Sequence, residues 1–110
     1  MTAALTKYSL FSSTSLASTV SSASIDVGRL IYGSVSLWWT GTPTGTLTVE
    51  AQNGTEAPWI AVSGYSQATG GASGSVLWLF TLFPYEKVRI TYTSTSGTGA
   101  LNGCFVAKGY

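Results

Sequence analysis

The side chains that could do chemistry are few. The chain has no His, its carboxylates are Asp26, Glu50, Glu56 and Glu86, and Cys104 is its single cysteine. Without His the commonest general base, the Ser-His nucleophile pairing and most zinc sites are absent. A glycosidase needs two carboxylates facing across a cleft. Glu50 and Glu56 are separated by a turn and could approach each other, but exposed strand-end carboxylates account for them better. The run Gly70-Gly71-Ala72-Ser73-Gly74-Ser75 has no Lys-Ser/Thr pair after it and no helix, so it does not read as a phosphate loop. Asn53-Gly54-Thr55 matches a glycosylation acceptor and reads more simply as a turn. Cys104 lies in the apolar run Gly103-Cys104-Phe105-Val106, where a small buried hydrophobe is expected rather than a reactive thiol. No catalytic residue, metal ligand or cofactor site is predicted.

The aromatic residues are the positive feature. Trp38, Trp39, Trp59 and Trp78, with Tyr32, Tyr65, Tyr85 and Tyr92, exceed what a small sandwich needs for its core. Adjacent residues of a strand point to opposite faces, so one of Trp38 and Trp39 can enter the core while the other faces outward. An outward Trp is a protein interface anchor, a platform for a sugar ring, or a ring covered by the chain's own second sheet or N-terminal segment. Subunit contact or self-cover ranks ahead of sugar, because sugar sites add planar polar groups around the ring. The residues expected at an interface are Trp38, Trp78, Phe80 and Tyr85.

The elements that would position them read as strands. In residues 35–51, Val35, Leu37 and Trp39 fall on one face, and so do Leu47, Val49 and Ala51, on either side of Gly41-Thr42-Pro43-Thr44-Gly45. This spacing predicts an antiparallel hairpin with a five-residue loop. Short strands are also expected at 25–27, 29–32 and 59–62. The stretch 64–75 reads as a glycine-rich loop. Residues 76–83 lack alternation, as in a strand covered on one side by the core and on the other by a neighbouring subunit. Residues 86–93 alternate, with Val88, Ile90 and Tyr92 inward. A hairpin loop at 94–99 and a last strand at 100–108 complete the series. Residues 9–24 are rich in Ser and Thr and predict an extended arm. The fold class is thus all-β: a single antiparallel β-sandwich or jelly roll spanning 25–110, preceded by an N-terminal arm over 1–24.

Composition narrows the function further. The chain has 110 residues, 45% hydrophobic but only 8% charged, with a net charge of +1 and a mean hydropathy of +0.28. Typical domains carry about 25% charged residues. Either neighbouring subunits cover much of this surface, or Ser and Thr supply the solubility. The scattered cations Lys7, Arg29, Lys87, Arg89 and Lys108 make no basic patch, so nucleic acid is not an expected partner. No apolar run is long enough to span a membrane as a helix, and the start of the chain does not read as a signal peptide. The expectation is a protein made in the cytoplasm that stays there or leaves inside an assembly.

The run Trp39-Thr40-Gly41-Thr42-Pro43-Thr44-Gly45-Thr46-Leu47-Thr48-Val49-Glu50 resembles a pattern of small virion proteins of tailed bacteriophages. A turn and a Trp follow it, as Gln52-Asn53-Gly54 and Trp59 do here, then a Pro-Tyr step into a strand (Pro84-Tyr85), then the closing Thr95-Ser96-Gly97-Thr98-Gly99. The likeness runs from about residue 25 onward. The loop at 64–75, the segment 55–58 and the low charge depart from it and leave the position on the particle open. The resemblance implies a non-enzymatic β-sandwich of the virion, a capsid decoration or other head or tail surface protein. Its partners would be itself, as a homo-oligomer, and the major capsid or another virion protein. It supplies no catalytic, cofactor or metal residue. The alternative is a carbohydrate-binding module that attaches to a surface glycan.

Overall fold

The computed structural model describes residues 5–27, 30–80 and 85–109. Their nine strands are β1 (Leu5–Ser15), β2 (Val20–Ser21), β3 (Ile25–Asp26), β4 (Leu30–Gly41), β5 (Thr44–Gln52), β6 (Ile60–Ala68), β7 (Gly74–Phe80), β8 (Lys87–Ser96) and β9 (Gly99–Gly109). No helix occurs among the described residues. Sheet A has the order β1-β9-β4-β7 and sheet B the order β2-β8-β5-β6, with β3 also on β8; all pairings are antiparallel.

The two orders correspond position by position. β1 continues into β2, β9 follows β8, β4 continues into β5 and β7 follows β6, each crossing from one sheet to the other. The molecule is one four-stranded sheet folded over on itself, which is the jelly-roll form of the expected sandwich.

This corrects the expected hairpin at 35–51. β4 and β5 do not pair; β4 lies between β9 and β7, and β5 between β8 and β6. The predicted faces are nonetheless right: Val35, Leu37, Trp39, Leu47, Val49 and Ala51 are all buried, looking at one another across the sandwich. The 94–99 loop is corrected in the same way, since it links β8 in sheet B to β9 in sheet A.

The physical reason lies along the fold line, where the two turns bond to each other. The Thr42 amide donates to the Thr98 carbonyl (2.8 Å) and Leu16 N donates to Gly99 O (2.9 Å). Gly71 N donates to Pro43 O (2.8 Å), and the buried Thr69 hydroxyl bonds Pro43 O (2.8 Å) while accepting from Gly45 N (3.0 Å). Backbone groups that leave the ladders at the bend are thus paired. Gly97 sits there at φ 81°, and a Cβ on it would lie 2.0 Å from the Thr42 carbonyl oxygen. Only glycine fits this position.

Segment 5–24, expected as an arm ahead of the sandwich, lies within it. β1 pairs with β9 along its length, and Leu10, Phe11 and Leu16 are core residues. Its Leu and Phe residues bury where the chain bends, at register shifts after Ser9 and Phe11 and a positive φ at Ser13, so the inward set does not keep period two. The expected loop at 64–75 is shorter, because β6 runs to Ala68 and takes up Gly64 (φ 89°) beside a register shift. The strands expected at 29–32 and 35–40 merge into β4. Gly28 and Arg29 fall outside the described residues, as do 81–84, which hold Pro84 of the Pro-Tyr step.

Candidate functional site: the outer face of sheet A

Directly paired residues of antiparallel strands share a face, so the registers place the outer side chains of sheet A in rows. From β1 to β7, one row is Lys7, Val106, Ser34 and Leu79; the next is Ser9, Cys104, Ser36 and Leu77. A third holds Asn102, Trp38 and Ser75, and Lys108 beside Tyr32 stands at the other end. Leu79 is 67% exposed, Leu77 61%, Tyr32 55% and Trp38 44%. Small residues at the centre of the face, Ser34, Ser36 and Cys104, are flanked by these large ones. A shallow depression of about 370 Å³ opens at one end, lined by Tyr32, Ser34, Leu79, Val106 and Lys108 among others. Lys7 and Lys108 are the only charges in these rows.

The outer face of sheet B is built differently. Thr46 pairs with Thr93, Thr48 with Thr91 and Glu50 with Arg89. Arg89 Nε donates to Glu50 Oε1 (2.9 Å), the Thr91 hydroxyl donates to the same oxygen (2.5 Å), and the guanidinium lies 4.4 Å from the centre of the Trp59 ring. Glu50, half of the only carboxylate pair suggested by the sequence, is therefore bound within an ion pair, and Trp59 is stacked under Arg89. Threonine hydroxyls and a closed charge pair leave this face content with water.

The pair Trp38–Trp39 divides as a strand requires. Trp39 is buried, its indole N–H donating to Ala72 O (2.8 Å), and Gly74 opposite leaves the space its ring fills: a Cβ there would meet Trp39 Cζ2 at 2.8 Å. Trp38 is the outward one.

The placement of Trp78 and Phe80 is corrected. They share the inner face of β7, where Phe80 is 5% exposed and in the core and Trp78 packs against it. Tyr65 of β6 stacks on Phe80 (4.6 Å between ring centres) and meets Trp78 edge-on (6.1 Å). This cluster closes the open side of the sandwich, and its inward pull sets the phase of β7. The residues that the strand offers outward are Leu77 and Leu79, which the unalternating sequence could not single out. Tyr85 is half-buried at the end of the molecule away from the fold line, beside a second depression of about 300 Å³ with Asn53, Pro58 and Ile60. It does not belong to the face that carries Trp38. Cys104 is partly exposed on the outer face, not a core residue as expected, because Gly103 and Phe105 take the inward positions.

No protein-family model matches the chain, and no curated protein sequence does. Among solved structures, the SPBc2 prophage-derived protein YomS is similar over 96% of this chain and 96% of its own, with TM-score 0.64 and 16% identity. The enzymatically active domain of tailspike protein 4 of bacteriophage CBA120 matches 82% of this chain, which corresponds to 13% of the tailspike chain, with TM-score 0.56 and 16% identity. A CBM4 chain matches 82% of this chain and 60% of its own, with TM-score 0.51 and 15% identity. At these identities the likeness is one of fold: the chain is an all-β sandwich of a kind that also occurs in phage-derived proteins.

Proposed function

We propose that this chain is a non-enzymatic structural protein of a phage particle, made in the host cytoplasm, which associates with itself and with the capsid or tail surface through the outer face of sheet A. The carrying observation is the asymmetry of the two outer faces. Sheet B turns threonines and a closed ion pair to solvent, whereas sheet A turns out Trp38, Leu77, Leu79, Val106 and Tyr32. A contiguous apolar face on a small domain marks an interaction surface. The near full-length fold match to a prophage-derived protein supports the phage assignment. The absence of His and the engagement of Glu50 support a non-catalytic role.

The test is to purify particles from a culture that produces this chain and quantify the chain in them by mass spectrometry. Wild-type chain should be present in many copies per particle, and Leu77→Lys should be lost from the particles while remaining folded in solution. Recovery only in the particle-free fraction would overturn the reading.

A second reading is favoured by one local arrangement. Trp38 has Asn102 and Ser75 beside it on the neighbouring strands, a ring with polar groups at its margin, as a sugar platform needs. Asn102 Oδ1 already accepts from Ser13 N, which leaves its amide N–H groups to donate. A glycan array with no hits would remove this alternative.

A further inference from the structure

We infer that the occupant of the sheet A face is the same face of a second copy. The two copies would be related by a two-fold axis that lies between them and crosses the strands over the row Ser9, Cys104, Ser36 and Leu77. This rests on the reading of the face as an assembly surface and names its partner and its register.

The strand registers make the face self-complementary about that row. A two-fold axis there exchanges the row on either side, so that each copy's Trp38 lies over Ser34 of the other. In the same way Leu79 lies over Ser75 and Val106 over Asn102. At the first two places a large side chain meets a serine, at the third two side chains of similar size meet, and Leu77 meets its own counterpart on the axis. Such alternation is what lets two sheet faces interdigitate at their ordinary separation of about 10 Å. A face that must fit itself is the requirement of an isologous contact.

Charge agrees with this register. Lys108 and Lys7 lie toward one end of the face. The axis carries the second copy's lysines to the opposite end, so like charges are not brought together. An axis running along the strands would gather the lysines of both copies at the same end.

Area sets the strength. Four strands ~4.8 Å apart and four rows ~7 Å apart cover about 500 Å² per copy, hence about 1,000 Å² in the pair. That is about the lower limit for a specific protein interface. The dimer is therefore concentration-dependent in dilute solution, and high local concentration, as on a particle, favours it.

Cys104, on the axis row and the chain's only cysteine, reports the contact directly. The experiment measures mass by light scattering over a dilution series and, in the same samples, the rate of Cys104 alkylation by iodoacetamide. A dimer is expected at high concentration. Alkylation should slow in step with it, about tenfold where nine copies in ten are paired. Leu77→Lys and Ser34→Trp, both at solvent-facing positions, should stay monomeric with unchanged thermal unfolding and alkylate at the dilute rate throughout. Thr93→Lys on sheet B should behave as wild type. A dimer whose Cys104 reacts at the monomer rate, or that survives Leu77→Lys, would overturn this inference and leave self-association standing. A monomer at every concentration that is still found in purified particles would overturn the second copy as occupant and leave the particle reading intact. A monomer absent from particles as well would sink both. Protection of Cys104 in a monomer by added maltoheptaose or cellohexaose would assign the face to sugar.

Discussion

Trp38 and Trp39 show how little a residue's type says about its fate: identical side chains one position apart end as a solvent-facing ring and a core ring hydrogen-bonded to Ala72 O. What separates them is the phase of β4, which Val35 and Leu37 already set. Tyr92 is the residue whose chemistry fits its place least. It is fully buried, and among the described residues its hydroxyl has no hydrogen-bond partner. Leaving a buried hydroxyl unpaired costs about 1–3 kcal/mol, whereas removing it with its ring retained is close to neutral or stabilising. Tyr92→Phe is therefore expected to hold or raise stability, by up to about 1 kcal/mol. Urea unfolding checks this, and a clear loss would mean that the hydroxyl is paired after all.

At the scale of elements, the fold line carries more of the architecture than any single strand. Its turns fix which strands leave sheet A and enter sheet B, and they are tied by bonds between residues far apart in sequence, such as Thr42 to Thr98. Two positive-φ glycines separate conformation from contact. Gly97 and Gly64 both have left-handed backbones, at φ 81° and 89°, but a Cβ at Gly97 would strike the Thr42 carbonyl, whereas nothing lies within 4 Å of one at Gly64. Gly64→Ala should cost only the conformational strain, about 1–2 kcal/mol. Gly97→Ala should cost distinctly more and lower the unfolding midpoint further, because the turn has to open. Equal losses in a denaturant series would show that the bend tolerates displacement. The same view explains the edges of sheet A: β1 is broken by register shifts and carries Lys7, while β7 keeps a regular register with β4 and carries no charge.

For the whole molecule, the folded-over sheet makes the first strand indispensable. The Ser/Thr-rich start of the chain reads as an arm that could be removed with the sandwich left standing. The structure places Leu10, Phe11 and Leu16 in the core and β1 at the edge of sheet A. Burying three such side chains is worth about 5–9 kcal/mol at about 1.5–3 kcal/mol each. That is comparable to the whole stability of an ordinary domain. Deletion of residues 1–16 is therefore expected to abolish cooperative unfolding and the near-ultraviolet circular dichroism of the buried aromatics. A truncated chain that melts as sharply as the full one would show that β1 is dispensable.

Some of this was decided locally and is legible in the residues. Alternation in β5 and β8 depends only on neighbours two apart, so Leu47, Val49, Ala51, Val88, Ile90 and Tyr92 could be assigned inward from sequence, and the class of the fold with them. The lack of His and of a convergent acid-base set is likewise a property of composition. Pairing is not. Gly41-Thr42-Pro43-Thr44-Gly45 has the same local chemistry whether it returns the chain beside β4 or carries it to the other sheet, and the choice rests on partners at Thr69 and Thr98. The open side of β7 was equally hidden, because in Val76-Leu77-Trp78-Leu79-Phe80 every residue is apolar and either phase would bury a good set. The Tyr65 cluster took Trp78 and Phe80 inward, and that long-range contact left Leu77 and Leu79 on the surface.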